Sequence, residues 1–535
     1  MRHRGCGAVA VVAALTLVAW SAWADAAQAQ IPGLPAVPIP DPERSAVPQF
    51  EGAIGVPNPV DGGPAPPRNP FMAPNPHNNI HDDPYMSDTY RQSGPLGDGS
   101  EHSSLFTREC GSLLFDSAGR IVTVCVGLDL PVLALLDPHS LQTLAAMPLP
   151  IRNPGGNPFT DFSGGGYFYL DQHDRAVVPT NDRHILVVSI TPGPGFQVSR
   201  DYDLSSRIPQ GEGIVSVLPD WSGRLWFVTR GGTVGTIERG DGTIRTMRLS
   251  GEGISNSFAV DETGGVYIVS DEALYRFDAD PKGGPAVSWR VVYPNSGVHK
   301  PGQSDAGSGT TPTLMGSKWV AITDNADPMN VVVYRRVKVL PRPKKKRRQR
   351  AAGKRKRARR EAKRRLVCAS PVFAQGAGAT DNSLIGTNRS LIAENNFGYQ
   401  ISLGDLSGGI TAPGLTRIDV VKKKPTKGGK ARKGKKRKRP AKFRCRQVWV
   451  SSEHAPSVVP KLSLANGLVY TYTHPPRADG IDAWYLTALD FRTGRTVYRR
   501  LAGTGFGFNN NYAPVTLGPD GTAYVGVLGG VVALP

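Results

Sequence analysis

The chain has 535 residues, 39% of them hydrophobic, and its 62 Gly and 46 Pro favour a turn-rich β protein with a sizeable core over a helical bundle. Its net charge of +20 is carried by two short stretches: residues 342–365 hold 16 Lys/Arg and one Glu, and residues 422–444 hold 14 Lys/Arg and no acid. The rest of the chain has 34 Lys/Arg against 43 Asp/Glu, a net of −9, so a mildly acidic body carries two basic segments.

Residues 1–29 read as a secretory signal. Arg2 and Arg4 precede an apolar run over 7–19, and small-x-small cleavage sites follow at Ala22-Trp23-Ala24 and Ala27-Gln28-Ala29. A retained membrane anchor is the competing reading. No later apolar run approaches the ~20 residues that span a bilayer. Export to the periplasm, the cell surface or the medium is therefore expected. Cys6 leaves with the signal, and Cys110, Cys125, Cys368 and Cys445 remain. None has zinc-ribbon, redox or haem-attachment spacing, and an even number in an exported chain points to two disulfides. Residues 30–100 read as a disordered, Pro-rich linker, since 14 of residues 31–80 are Pro and no helical or strand period appears. His77, His81, Asp82 and Asp83 have metal-ligating side chains but read as solvated linker positions.

From about residue 101 a strand–turn–strand repeat sets the fold. Its copies lie at 113–125, 169–180, 217–229, 259–270, 313–323, 384–394, 462–473 and 516–527, each with a turn rich in Gly, Asp or Asn. Further strands follow most copies. One such sheet cannot bury both faces alone, whereas radial packing buries Val, Ile, Leu, Trp and Tyr between neighbours. The expectation is an all-β, eight-bladed β-propeller of four-stranded antiparallel blades over 101–535, with the basic stretches 342–365 and 422–444 as disordered loop insertions. The last copy is followed only by GGVVALP, so residues 102–110 are expected to supply the missing outer strand.

The segment Ala488-x-Asp490-x-x-Thr493-Gly494-x-x-x-Tyr498 resembles the repeat of pyrroloquinoline-quinone-type propellers, with Tyr where that repeat usually has Trp. Weaker echoes occur at 134–137 and 275–278. The resemblance implies the propeller superfamily. The haem motif and the adjacent Cys-Cys pair of some members are absent.

With strands lettered A to D outwards from the axis, A–B and C–D turns share one face. B–C turns and blade-to-blade connections share the other. Aligning the copies puts Asn181, Arg230, Asp271, Asp324, Asn395 and His474 in one ring just past the ends of the B strands. Asn256, Asn382, Glu453, His454 and Asn511 lead into A strands on the same face. These residues form a candidate ligand mouth, although polar residues also suit strand ends. Oxygens converging on the axis would suit Ca²⁺, and His454 with Glu453 would suit a base and its partner in ester or lactone hydrolysis. No hydrolase, EF-hand or phosphate-loop motif is present.

Both basic stretches lie between strands C and D of neighbouring blades, on the face opposite the mouth. Residues 354–366, rich in Ala, Lys and Arg, have the composition to become helical against a polyanion. No aromatic residue interrupts either run, and export makes nucleic acid an improbable partner. Anionic cell-wall polymers or lipid headgroups are the expected partners. The leading reading is a monomeric, non-enzymatic binding or scaffolding propeller at the cell envelope with no cofactor. Its rival is an enzyme, either a quinone-dependent dehydrogenase or a metal-dependent lactonase-like hydrolase. Cys368 is expected to pair with Cys445. Cys110 is expected to pair with Cys125, because both are equidistant from the centre of the turn at 116–119.

Overall fold

A computed structural model describes residues 36–127, 130–152, 159–341, 354–423 and 442–535. The expected signal segment lies outside them. Eight antiparallel sheets follow one another along the chain, and together they make the expected all-β eight-bladed propeller. Blade 1 is typical, with strands A to D at Glu109–Phe115, Ile121–Val126, Val132–Leu136 and Thr143–Pro148. Its side chains alternate between two interfaces. Leu113, Phe115 and Ile121 pack towards Tyr524, Val531 and Ala533 of blade 8. Leu114, Val122 and Val124 pack towards Phe168, Leu170 and Val178 of blade 2. The core is therefore a series of apolar layers between blades, closed into a ring by the layer between the last blade and the first.

The A–B turns explain why the repeat was visible. Asp116 accepts the backbone N–H groups of Ala118 (3.0 Å) and Arg120 (2.8 Å), and the Arg120 Nε at 2.8 Å. Asp171 does the same for His173 and Arg175, and Asp220 for Ser222 and Arg224. The left-handed position that Gly119 fills at φ 78° is taken in blade 2 by Asp174 at φ 57°.

Ring closure matches the expectation in part. Blade 8 has strands Val515–Leu517, Ala523–Val527 and Gly530–Leu534, and His102–Leu105 is its outer strand, with His102 opposite Ala533. The closing strand ends there. Glu109 and Cys110 belong instead to strand A of blade 1. Blade 7 (Lys461–Ser463, Leu468–Thr473, Ala483–Asp490, Thr496–Thr504) departs from four strands. It gains Phe50–Gly52 outside its last strand and Thr89–Tyr90 inside its first, the latter parallel.

The linker expectation needs correction. Residues 30–35 lie outside the described part, but 36–100 are ordered and packed, and much of 69–92 is buried. This segment runs along the inner edges of the blades. Ala73 N–H donates to Leu170 O (2.9 Å), and Val260 and Leu314 donate to Pro84 O (3.0 Å) and Tyr85 O (2.8 Å). Gly386, Leu462 and Leu464 donate to Ser87 O, Asp88 O and Tyr90 O. It thus touches the innermost strands of blades 2, 4, 5, 6 and 7 in turn and fills the axial channel. Tight turns carry the chain from one strand edge to the next: Met72, Asp82 and Met86 N–H donate to Asn69, Asn79 and Asp83 O, and His77, Asp82, Met86 and Asp88 take positive φ.

The first basic stretch is also partly ordered. Residues 354–365 form helix α1 (Lys354–Arg365). Arg365 is buried, with its guanidinium 4.5 Å from the Trp289 ring centre and donating to Val337 O at 2.7 Å. Residues 342–353 and 424–441 lie outside the described residues.

Both disulfides form as expected, Cys110–Cys125 with a Cα separation of 3.9 Å and Cys368–Cys445 with 5.4 Å. The register behind the first differs from the equidistance argument. Phe115 faces Ile121 and Leu113 faces Thr123, a frame that would leave Cys110 opposite residue 126. A bulge at Gly111 absorbs one residue and brings Cys110 opposite Cys125. The second pair forms because the D strands of blades 5 and 6 (Leu366–Pro371 and Phe443–Val450) stay close, with Trp319 and Phe443 packed edge-on at 5.1 Å. The double substitution Cys110→Ser/Cys125→Ser should lower the unfolding free energy by on the order of 3 kcal/mol, read by urea titration. Unchanged stability, or peptide mapping that links Cys110 to a distal cysteine, would contradict this pairing.

Candidate functional site

The proposed mouth residues lie at strand ends and connecting loops, and each has local work. Asp324 accepts from the backbone N–H (2.7 Å) and side-chain amide (2.8 Å) of Asn330, closing its own B–C turn. Asn395 donates to Ala377 O and Pro413 O, and Asn382 donates to Glu394 and Val458 O, both at 2.6 Å. Asn181 accepts from Ser163 Oγ at 2.8 Å. His474 stacks on Trp484 with ring centres 4.3 Å apart and meets Asp482 at 3.1 Å.

The proposed hydrolytic pair is not made. Glu453 is buried and committed to Arg499, whose Nη2 lies 2.6 Å away, and to the Thr496 hydroxyl. The His454 Nδ1 contacts Thr411 O at 2.6 Å. The oxygens proposed for Ca²⁺ do not converge either. Among the described residues no group of three or more His, Cys, Asp or Glu is disposed to hold a metal. The axis where they would meet holds residues of the 69–92 segment.

Three more members of the ring are engaged by residues outside it. Arg230 pairs with Asp305 at 3.4 Å, Asn256 accepts from Tyr167 Oη at 3.2 Å, and Asp271 accepts from Gly253 N–H at 3.0 Å. Asp381 accepts from Ser304 N–H at 2.6 Å, and burial pushes its carboxyl up to about 7. Burial also raises Asp271 and Asp324 above the ordinary carboxylate range.

Below this face lies a buried ionic cluster that the linker reading missed. Lys461 Nζ donates to Asp88 (2.5 Å), Asp82 (2.9 Å) and Ile80 O (2.6 Å), and none of these side chains reaches solvent appreciably. His81 Nδ1 meets Asp88 at 3.0 Å, while its Nε2 lies 3.2 Å from both Thr311 Oγ1 and Ser383 Oγ. Tyr90 donates to Asp82, and Ser87 to Asp83. Burial raises Asp82 to about 6 and Asp83 to about 7. Burial opposes ionisation of Asp88 and Lys461 too, but mutual attraction prevails and holds Asp88 low and Lys461 high. One sequence signal was present: a lysine in an innermost strand, where an apolar residue is the rule, implies a buried carboxylate partner.

A pocket of about 580 Å³ opens on the same face over blades 7, 8 and 1. Ile39, Leu105, Val126, Leu406, Phe506 and Leu528 line it, with Arg108, Glu109, Arg152 and Asn511 among its polar members. Burial raises Glu109 to about 8 against the Asn511 N–H it accepts and the Arg152 charge. A second cavity of about 50 Å³ shares Glu109, Val126, Arg152 and Asn511 and reaches Ile80 of the axial segment. Of its polar residues only Asn511 was anticipated, because Glu109 was assigned to the closing strand.

No family model matches the chain. It is 29% identical over 339 residues to an uncharacterized protein of Archaeoglobus fulgidus, an alignment covering 61% of this chain and 62% of the relative, less than two thirds of that protein. In structure it is similar to BamB from Moraxella catarrhalis, with a TM-score of 0.37 and 13% identity over 67% of this chain and 92% of that one.

Two outcomes are expected of the buried carboxylates. Asp381 has a folded pKa of about 7, raised from 3.8, so its contribution to stability is full below about pH 4 and is lost as pH rises towards 7. Asp381→Asn, which cannot ionise, should therefore gain on the parent over that window by on the order of 3 kcal/mol, measured by urea unfolding at a series of pH values. A difference that stays flat with pH would contradict the burial of this charge. Lys461→Met should destabilise by roughly 3–5 kcal/mol near pH 7, because it strands Asp82 and Asp88 in the channel. A loss below about 1 kcal/mol would show that the cluster is not closed to water.

Proposed function

We propose that the protein is an exported, non-enzymatic binding propeller that attaches to an anionic surface of the cell envelope through its two basic segments. The observation that carries this reading is the Cys368–Cys445 disulfide. Each cysteine lies in strand D, shortly after one basic stretch, so the bond joins the roots of both stretches at a Cα separation of 5.4 Å. Lys423 N–H donates to Lys442 O at 2.7 Å, holding the ends of the second segment together. Helix α1 is held against the neighbouring blade by Arg365 on Trp289. Residues 342–353 contribute 7 Lys/Arg and residues 424–441 contribute 10, with no acid in either. Both emerge from C–D connections, the face opposite the mouth. Excess positive charge on an otherwise acidic chain draws it to anionic surfaces.

Export is supported by the N-terminal pattern and by two disulfides in one chain. A binding role fits better than catalysis because the axis, where a propeller enzyme of either rival type would work, is filled by the chain's own residues 69–92.

The test is deletion of 342–353 and 424–441 together, bounds that spare helix α1 and the flanking strands. The intact chain should bind heparin and phosphatidylglycerol vesicles in a salt-sensitive way. The deletion variant should lose both while its thermal melt stays within a few degrees of the parent. Undiminished retention by the deletion variant would overturn the proposal, as would parental binding that ignores added salt.

A further inference from the structure

The pocket over blades 7, 8 and 1 lies on the face opposite the basic segments, so what it does is independent of surface attachment. Its volume of about 580 Å³ falls in the range of small-molecule sites. The walls are almost wholly apolar. Two apolar side chains at its rim stand open to solvent, Phe506 at 60% and Leu403 at 68% exposed, and exposed apolar groups clustered at a concavity mark binding surfaces.

The polar end restricts the ligand further. Asn511 is 7% exposed; its Nδ2 donates to Phe159 O at 3.1 Å, while its Oδ1 has no hydrogen-bond partner among the described residues. A buried acceptor without a partner favours a ligand group that donates. Beside it, Glu109 Oε1 accepts the Asn511 N–H at 2.7 Å. Arg152 supplies a positive charge next to Glu109, which disfavours a cationic head, and it already lies in the field of Asp161. An anionic head has no hydrogen to donate and would leave Asn511 Oδ1 unpaired in a buried position.

We propose that this pocket binds a small neutral amphipath, an apolar body whose hydroxyl or carboxamide head donates a hydrogen bond to Asn511 Oδ1 with Glu109 alongside. Burial favours the protonated form of Glu109 at neutral pH, which keeps a net negative charge away from the head.

The full-length protein tests this by displacement of the fluorescent hydrocarbon probe diphenylhexatriene with four ten-carbon competitors: decanol, decanamide, decanoate and decylamine. Decanol and decanamide should displace the probe saturably and about tenfold more tightly than either charged competitor. Asn511→Leu should weaken decanol by about fivefold and leave the probe itself, which has no hydroxyl or amide head, nearly unchanged. Phe506→Ser, at an exposed position that does not threaten folding, should weaken the probe and decanol together by about tenfold. Decanoate or decylamine binding as well as decanol would overturn the assignment of the head. Parental affinity in Phe506→Ser, or no saturable displacement at all, would overturn the site.

Discussion

A ring of eight sheets leaves a channel at its axis, and the inner strands around that channel are short. Strand A is two residues long in blades 2 and 4 and three in blades 5 to 8. Their inward edges carry backbone groups that must be paired or solvated. Residues 69–92 pair many of them, and in doing so carry Asp82, Asp83, Asp88, His77 and His81 into the interior. Lys461 makes that burial tolerable. An unpaired ammonium in the channel would be costly, as would either carboxylate alone. Any seating of the segment that moves Asp82 and Asp88 away from Lys461 is therefore penalised, and a stretch with no periodic pattern acquires a single register.

Sequence reasoning succeeded where structure is decided locally. The turn at Asp116 is closed by groups two and four residues away, so its chemistry is written in five consecutive positions, and the repeat of that chemistry counts the blades. It failed where order depends on distant partners. Residues 69–92 have neither a helical nor a strand period, because their hydrogen bonds go to strands up to 425 residues away, as Gln92 Nε2 to Leu517 O shows. Proline content then pointed to disorder where the chain instead turns repeatedly between strand edges. The Cys110–Cys125 pair was found by an argument that omitted the Gly111 bulge. Equidistance from the turn held only because the bulge shifted the frame by one residue.

The polar ring at the mouth illustrates a different gap. Its membership was legible, but the partner of each residue was not. Asn395 and Asp324 spend their hydrogen-bonding capacity on their own loops. Asn511 keeps an acceptor without a described partner, which its place ahead of an A strand does not reveal. Strand lettering nevertheless separated the two faces correctly. B–C and D–A connections build the pocket, C–D connections carry the basic segments, and the antiparallel order of each blade keeps them apart.

The pocket is assembled from both ends of the chain. Ile39, Leu105 and Glu109 come from before or within the first blade, while Phe506, Asn511 and Leu528 come from the last two. The strand His102–Leu105 cannot pair until residues 530–534 exist, and Asp88 cannot meet Lys461 until blade 7 has formed. Contacts of such separation bear a large loop-closure cost before they contribute, so they belong late in folding. Axial filling, outer-strand closure and pocket formation thus become one event. A chain with seven well-formed blades and an open ring would lack the pocket, even though every one of those blades was intact.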